Sequence, residues 1–281
     1  MIRNAMSVDV EDWFQVGAFE TVIRKEDWPR HEVRVERNTD NVLQLFADAG
    51  VKATFFTLGW VAERHPALIR RIAEQGHEVA SHGCDHKRVF LMDAVEFAED
   101  VKKSKAQLEQ AGGVAVTGYR APNFSIDART PWAHHALAEA GYGYSSSVAP
   151  LVHDHYGWPE APRFMWRPLA DHDLIEFPVS TVRVAGRNFA AGGGGFFRLL
   201  PYGLSRWAVG RVNGEGRSSV FYFHPWDMDP GQPFMAHAPL KSRLRHYTNL
   251  GVMAAKLRRL TGDFGWTRVD EIVNAERGRV A

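Results

Sequence analysis

Two imidazoles stand four residues apart in Ser81-His82-Gly83-Cys84-Asp85-His86, directly after the apolar run Glu78-Val79-Ala80. Read as a helical turn, positions i and i+4 share one face, so His82 and His86 can close on a single metal ion. Far upstream, Val8-Asp9-Val10-Glu11-Asp12 ends the first apolar run with three carboxylates. That much negative charge at one strand end is costly alone and is stabilised by a cation. In a strand, Asp9 and Glu11 share a face while Asp12 points the other way. One carboxylate can then bind metal while another takes a proton from water. Two nitrogens and one oxygen, with a coordination position left open, are the ligand set of a hydrolytic zinc site.

Other residues add acid–base capacity. His224 closes Phe221-Tyr222-Phe223 and precedes Pro225-Trp226-Asp227. That placement suits a general acid beside a leaving group, and equally a core histidine bonded to a carbonyl. Arg120, in Tyr119-Arg120-Ala121-Pro122-Asn123, could hold a carboxylate in place or form an ordinary ion pair. Cys84 would point about 200° around a helix from His82, so it is expected to pack as a small apolar residue. Gly192-Gly193-Gly194-Gly195 lacks the Lys-Ser/Thr of a phosphate loop and reads as a close-approach loop. His153, Asp154, His155 and Tyr156 read as loop residues.

The elements that position these groups alternate. Strand-like runs are expected at Ala5 to Val10, Lys52 to Thr57, Glu78 to Ala80, Thr117 to Arg120, Tyr142 to Ser145, Leu174 to Phe177, Ser219 to Phe223 and Gly265 to Val269. Helical spacing covers Thr39 to Ala49 (capped by Asn38, stopped by Gly50), Pro66 to Gln75, Asp93 to Gln110, a segment opened by Thr130-Pro131, Tyr202 to Val212 and Arg243 to Leu260. Such alternation predicts an α/β fold with a parallel sheet and outer helices. Asp9, Glu11, His82, Arg120 and His224 all fall at strand ends, where an α/β barrel places its chemistry. Two stretches, Pro150 to Asp173 and Gly186 to Leu199, show no regular pattern.

Bulk properties set limits. The 281 residues are 45% hydrophobic and 24% charged, and a length that suggests about two domains also suits one barrel. A net charge of +1 gives no overall footprint for nucleic acid. Nine tryptophans and seventeen phenylalanines provide a large core and platforms for sugar rings. One cysteine excludes an intramolecular disulfide. Met1-Ile2-Arg3-Asn4 runs straight into a strand, and no apolar run approaches the roughly 18 residues of a membrane span, so a cytoplasmic location is expected. Nothing in the sequence opposes a homo-oligomer.

Taken in order, these motifs resemble the polysaccharide deacetylase (NodB-homology, carbohydrate esterase family four) proteins, in the branch with Asp-Val-Glu-Asp that is linked to exopolysaccharide loci. The resemblance runs from Ser7 to about Trp226. It implies a distorted (β/α) barrel of about seven strands, one domain over residues 1–281, with 227–281 a C-terminal extension packed on the barrel. It also implies a metal-dependent hydrolase that removes N-acetyl groups from an N-acetylhexosamine-containing polysaccharide. Asp9 would be the base, steadied by Arg120, and His224 the acid. Glu11, His82 and His86 would bind one divalent ion, with zinc expected; Glu11 is preferred to Asp12 because it shares the strand face of Asp9. Pro122, Asn123 and Trp226 would line the substrate and oxyanion position. The sequence departs from the family twice. The adjacent Asp-Asp of the first motif is spread out. The fourth motif, here Tyr144-Ser145-Ser146-Ser147, lacks its aspartate, which predicts activity fading at lower pH than in relatives that keep it. Two other readings stand beside this one: an allantoinase-like amide hydrolase on the same scaffold, and a carbohydrate-binding module with a lapsed site.

Overall fold

The computed structural model describes residues 2–153 and 156–280. Its main sheet is built from β1 (Arg3–Val10), β2 (Thr54–Thr57), β3 (Glu78–Ser81), β4 (Gly118–Tyr119), β5 (Tyr144–Ser145) and β6 (Ile175–Glu176). A hairpin follows, of β7 (Thr181–Val184) and β8 (Arg187–Ala190), and then β9 (Val220–Phe223) and β10 (Gly265–Thr267) return to the sheet. Ser7 and Val8 pair with β2 and with β9, so these two flank β1 on opposite edges. The result is seven parallel strands in the order β9-β1-β2-β3-β4-β5-β6, with β10 paired to the first residues of β1. They form the curled (β/α) barrel expected. Where it stays open between β6 and β9, Ser180 Oγ accepts the Val220 N–H at 2.7 Å.

Register explains why the chemistry gathers at one end. Val10, Thr57, Ser81, Tyr119 and Ser145 lie in one row across the sheet, each paired to the next. The residues immediately beyond that row include Glu11, His82, Arg120 and Ser146. Side chains alternate faces along each strand. Phe55 and Val79 pack outward in the main core, while Phe56, Ala80 and Tyr144 pack inside with Ala5 and Val220. Ser7 and Asp9 continue the inward series begun by Ala5. The opposite end is plugged by the helix Val269–Glu276, whose Val269, Ile272 and Val273 join the inner cluster.

Three expectations about elements need correction. The first long helix spans Val35–Ala49, so Asn38 lies inside it and Asp12 caps it from a distance; Gly50 does end it, at φ 65°. The helix expected from Arg243 to Leu260 is two helices, Leu240–Tyr247 and Met253–Asp263, broken where Asn249 turns left-handed at φ 59°. The stretch from Gly186 to Leu199 holds β8 and a short helix, Gly194–Leu199. Its hairpin turn, Ala185-Gly186, has positive φ at both positions (48° and 80°). Such a turn favours Asn-Gly or Asp-Gly, and alanine at its first position hides the signal.

Candidate active site

The loop after β3 brings the two histidines together, but not on a helix. Gly83 and His86 adopt left-handed backbone, at φ 76° and 61°, and fold the segment back so that both rings face Glu11. The helical premise is therefore wrong while the convergence it predicted is present. The ligating atoms of Glu11, His82 and His86 all lie within 4.8 Å of one another. Glu11 Oε2 is 2.7 Å from His86 Nε2, yet this buried oxygen gains no well-aligned hydrogen bond. Two ligand atoms facing a common point rather than each other would give that geometry. His82 Nδ1 lies 2.8 Å from the Arg120 carbonyl oxygen, which fixes the proton there and leaves Nε2 as a lone pair for metal. Burial holds His82 down to about 4, so it is neutral at pH 7. Burial would raise the Glu11 carboxyl, but His86 and His224 outweigh it and bring it down to about 2. A buried trio of this composition fits a divalent ion.

Asp12, the alternative ligand, is turned away. Its Oδ2 accepts the N–H groups of Arg34 (2.7 Å) and Val35 (2.9 Å), and its Oδ1 accepts that of Trp13 (2.8 Å). It satisfies donors at the start of the helix Val35–Ala49, and burial raises its carboxyl to about 6. Cys84 also stays outside the trio; its Sγ lies 3.4 Å from the Asp100 carbonyl oxygen, and burial pushes the thiol up to about 12.

On one side of the trio is Asp9. Its Oδ1 accepts from Arg120 Nη1 at 2.6 Å, and Arg120 is fully buried. The guanidinium also donates to Ser7 Oγ, Ser146 O and Ser146 Oγ, and lies over the Phe56 ring at 4.1 Å. Within the aspartate-free motif, Ser146 thus takes two of the Arg120 donors. Ser147 Oγ further fixes the following turn by accepting the Ala121 N–H at 2.9 Å. Beyond it, Pro122 is buried and Asn123 adopts φ 55°, with its side chain against Gly17 and its Oδ1 buried without a hydrogen bond.

On the other side is His224, with Nε2 3.7 Å from Glu11 Oε1. Asp227 Oδ2 accepts from His224 Nδ1 at 3.1 Å and from its backbone N–H at 2.9 Å. Arg198 Nε donates to Asp227 Oδ1 at 2.7 Å. Burial opposes charge on His224, but Glu11 and Asp227 raise it to about 9. Asp227 thus gives His224 a carboxylate partner although the fourth motif has no aspartate. The glycine run makes this approach possible: a Cβ on Gly194 would sit 2.2 Å from Asp227 Oδ2, and Gly193, at φ 117°, lies against Tyr222.

Trp226, expected at the substrate position, is packed within the protein. Its ring is stacked between His224 (4.6 Å) and His246 (4.3 Å), and its Nε1–H donates to Glu11 Oε1 at 3.1 Å. With both faces covered, it positions Glu11 and His224. Sequence reasoning missed Ser7, Ser146, Arg198, Asp227 and His246. Only Asp227 carried a local signal, as an acid three residues after His224. His153 and Tyr156 stack at 4.0 Å; Asp154 and His155 lie outside the described residues.

The fold is a curled (β/α) barrel with a Glu-His-His trio at its strand ends. The polysaccharide deacetylase family profile matches residues 26–145, and a profile described only as a domain of unknown function (DUF3473) matches 146–274. Residues 26–145 are therefore similar to the polysaccharide deacetylase family. The site is completed from outside that match, by Asp9 and Glu11 before it and by Arg198, His224, Trp226 and Asp227 after it. A chitooligosaccharide deacetylase of Sinorhizobium fredii is 36% identical over 146 residues, which are 52% of this chain and 61% of that protein. A peptidoglycan-N-acetylglucosamine deacetylase of Bacillus cereus is 32% identical over 84 residues, 30% of each chain. The chain thus spans less than two thirds of these relatives. A solved structure assigned as a polysaccharide deacetylase of Mycobacterium smegmatis superposes with a TM-score of 0.68 at 20% identity, covering 99% of this chain and 91% of that one. That likeness concerns the fold.

Proposed function

We propose that the chain removes N-acetyl groups from N-acetylhexosamine units of a polysaccharide, with a bacterial exopolysaccharide as the intended class. One divalent ion, zinc by ligand chemistry, would be held by Glu11, His82 and His86. The observation that carries this reading is the placement of the buried trio between a carboxylate paired to a cation and an imidazole paired to an anion. When bound, the ion supplies Lewis acidity that brings the pKa of a water toward ~7 and polarises the amide carbonyl.

The chain's own groups do the rest. Asp9, steadied by Arg120, takes a proton from the attacking water as its oxygen bonds to the acetyl carbon. The Asn123 backbone N–H donates to the oxyanion, a role worth roughly 3 kcal/mol per donor in comparable sites. His224, held through Nδ1 by Asp227, gives a proton to the amide nitrogen. The C–N bond then breaks to acetate and a free amine. Trp226, stacked between His224 and His246, keeps bulk water from this side. Residues 1–281 act as one unit in this account, because 227–281 supplies both β10 and His246 behind Trp226.

Metal analysis paired with acetate release from N-acetylglucosamine oligomers tests the proposal. His82→Ala/His86→Ala should lose one ion per chain and all acetate release. A second, largely exposed group, His135, Asp171 and His172, makes the difference between the two proteins the proper readout. Unchanged metal content in the double variant would sink the site. Opening of allantoin without acetate release would favour the cyclic-amide reading, and oligomer binding by metal-loaded protein without acetate would favour a lapsed enzyme.

A further inference from the structure

The net charge of +1 conceals a strong asymmetry. From Phe177 to Gly214 the sequence holds five arginines and no acid; from Pro230 to Gly262 it holds six Lys or Arg and no acid. With +11 on these two segments and +1 overall, the remainder carries −10. The two segments are joined in space. Lys256 Nζ donates to the carbonyls of Phe197 (2.9 Å) and Leu200 (2.8 Å), and Arg198 donates to those of Arg245 and Thr248. The two segments therefore pack side by side. Arg198 itself is buried and paired to Asp227, so the charge this region shows to solvent comes from the other basic residues.

The same region exposes the apolar side chains. Phe189, Phe196, Trp207 and Phe234 are the exposed large aromatics among the described residues, and all four lie on these segments. Val184, Phe189, Phe196, Leu200, Leu204 and Trp207 line a single cavity of about 350 Å³ between the β7–β8 hairpin and the helix Tyr202–Gly214. Their exposures run from 39% to 53%, so the cavity opens into a patch rather than a closed pocket. The adjoining cleft sets Arg163, Arg183 and Arg187 against one acid, Glu160. Glu215 and Asp263, just beyond the segments, are held by Arg163 and Arg206.

We propose that this face docks on an anionic phospholipid bilayer, with the hairpin and the Leu200–Leu204 turn entering the headgroup layer. Apolar tips bracketed by arginines match that interface, because the tips leave water while the guanidiniums stay among phosphates. A second copy in an isologous dimer would set cations against cations. A nucleic acid would use the arginines and leave the apolar tips in water. Among the described residues, no helix is long and apolar enough to cross a membrane, so the contact is interfacial. The back wall of the cavity is Gly192 and Gly193, which lead directly to Gly194 against Asp227, so docking would place the acid side of the site near the lipid surface. This proposal stands apart from the reaction assigned above, since binding needs no turnover.

The test is co-sedimentation of the full chain with vesicles of phosphatidylcholine containing about one third phosphatidylglycerol, against phosphatidylcholine alone. Binding should require the anionic lipid. Arg183→Ala/Arg187→Ala should weaken it about 25-fold, at about fivefold per arginine, and Leu204→Ser/Trp207→Ser at least ~10-fold. Both variants should keep the far-UV spectrum of the parent; if the serine pair fails to fold, the arginine pair and Phe189→Ser carry the test. Equal sedimentation with both vesicle types, or with neither, overturns the proposal. So does duplex DNA binding lost with the arginines but kept with the serine pair, or a solution dimer that the serine pair dissolves.

Discussion

Two buried aspartates flank the Glu11, His82 and His86 trio, each locked to a buried arginine, and they are left in different surroundings. Asp9 meets Arg120 at 2.6 Å and Asp227 meets Arg198 at 2.7 Å. Asp227 has both oxygens occupied, Oδ1 by Arg198 and Oδ2 by His224. Asp9 spends Oδ1 on Arg120, and the guanidinium does not engage its Oδ2. The same ion pair therefore serves two ends. Where one oxygen stays free, the carboxylate can accept a proton from water. Where neither does, it can only orient its histidine and favour the imidazolium. In the proposed mechanism, saturation rather than the pairing itself would separate a base from a positioning residue.

The largest effect expected from this contrast is at Asp9. Asp9→Asn keeps size and removes basicity, so acetate release should fall by roughly 10²–10⁴ while metal stays bound. Loss of metal in that variant would make Asp9 a ligand and end the comparison. Asp227→Asn should act more gently, by roughly 10–100-fold, the usual loss when a histidine is deprived of its orienting carboxylate. It should also move the alkaline limb of activity to lower pH, because Asp227 helps hold His224 up and His224 must be protonated to act as acid. A fall as deep as that of Asp9→Asn would place Asp227 in the chemistry itself.

Two further variants sharpen the boundary between structural and functional carboxylates. Asp12→Ala should cost stability, about 1–2 kcal/mol for a lost cap, and leave metal content unchanged, as read by urea unfolding and metal analysis. The smallest effect is at the closed end of the barrel. Glu78 is buried among Thr54, Tyr144 and the Asp270 N–H, and burial, with Asp270 nearby, raises it to about 8. Its folded value lies above its unfolded one, so the stability it contributes is complete below about 4.5 and is lost as pH rises through about 8. Glu78→Gln should flatten the decline in unfolding free energy between those values. An unchanged slope would assign the decline to other groups.

The positions of the site residues were legible because each ends a short strand, and register then sets Glu11, His82 and Arg120 side by side. Their partners were not. Arg198 and Asp227 lie 29 residues apart and meet only because a glycine run lets the backbone come close. His246 stacks on Trp226 from 20 residues further on, in the helix Leu240–Tyr247, a contact that no local spacing signals. The convergence of His82 and His86 was inferred for the wrong reason: spacing of four suggested a helix, whereas positive φ at Gly83 and His86 makes a loop do the same work. Asp12 illustrates the reverse, since the strand-face argument set it apart correctly but gave no hint of the helix it caps.

The division of labour across the trio is tested most directly by the leaving group. An amine needs a proton to depart from a tetrahedral carbon, whereas the alkoxide or phenoxide of an activated acetyl ester does not. Rates of the parent and of His224→Ala, both fully metal-loaded, should be measured on an N-acetylglucosamine oligomer and on an activated acetyl ester. The account predicts a loss on the amide at least ~100-fold greater than on the ester. Equal losses on both substrates would contradict it, and would leave His224 as a residue that only shapes the site.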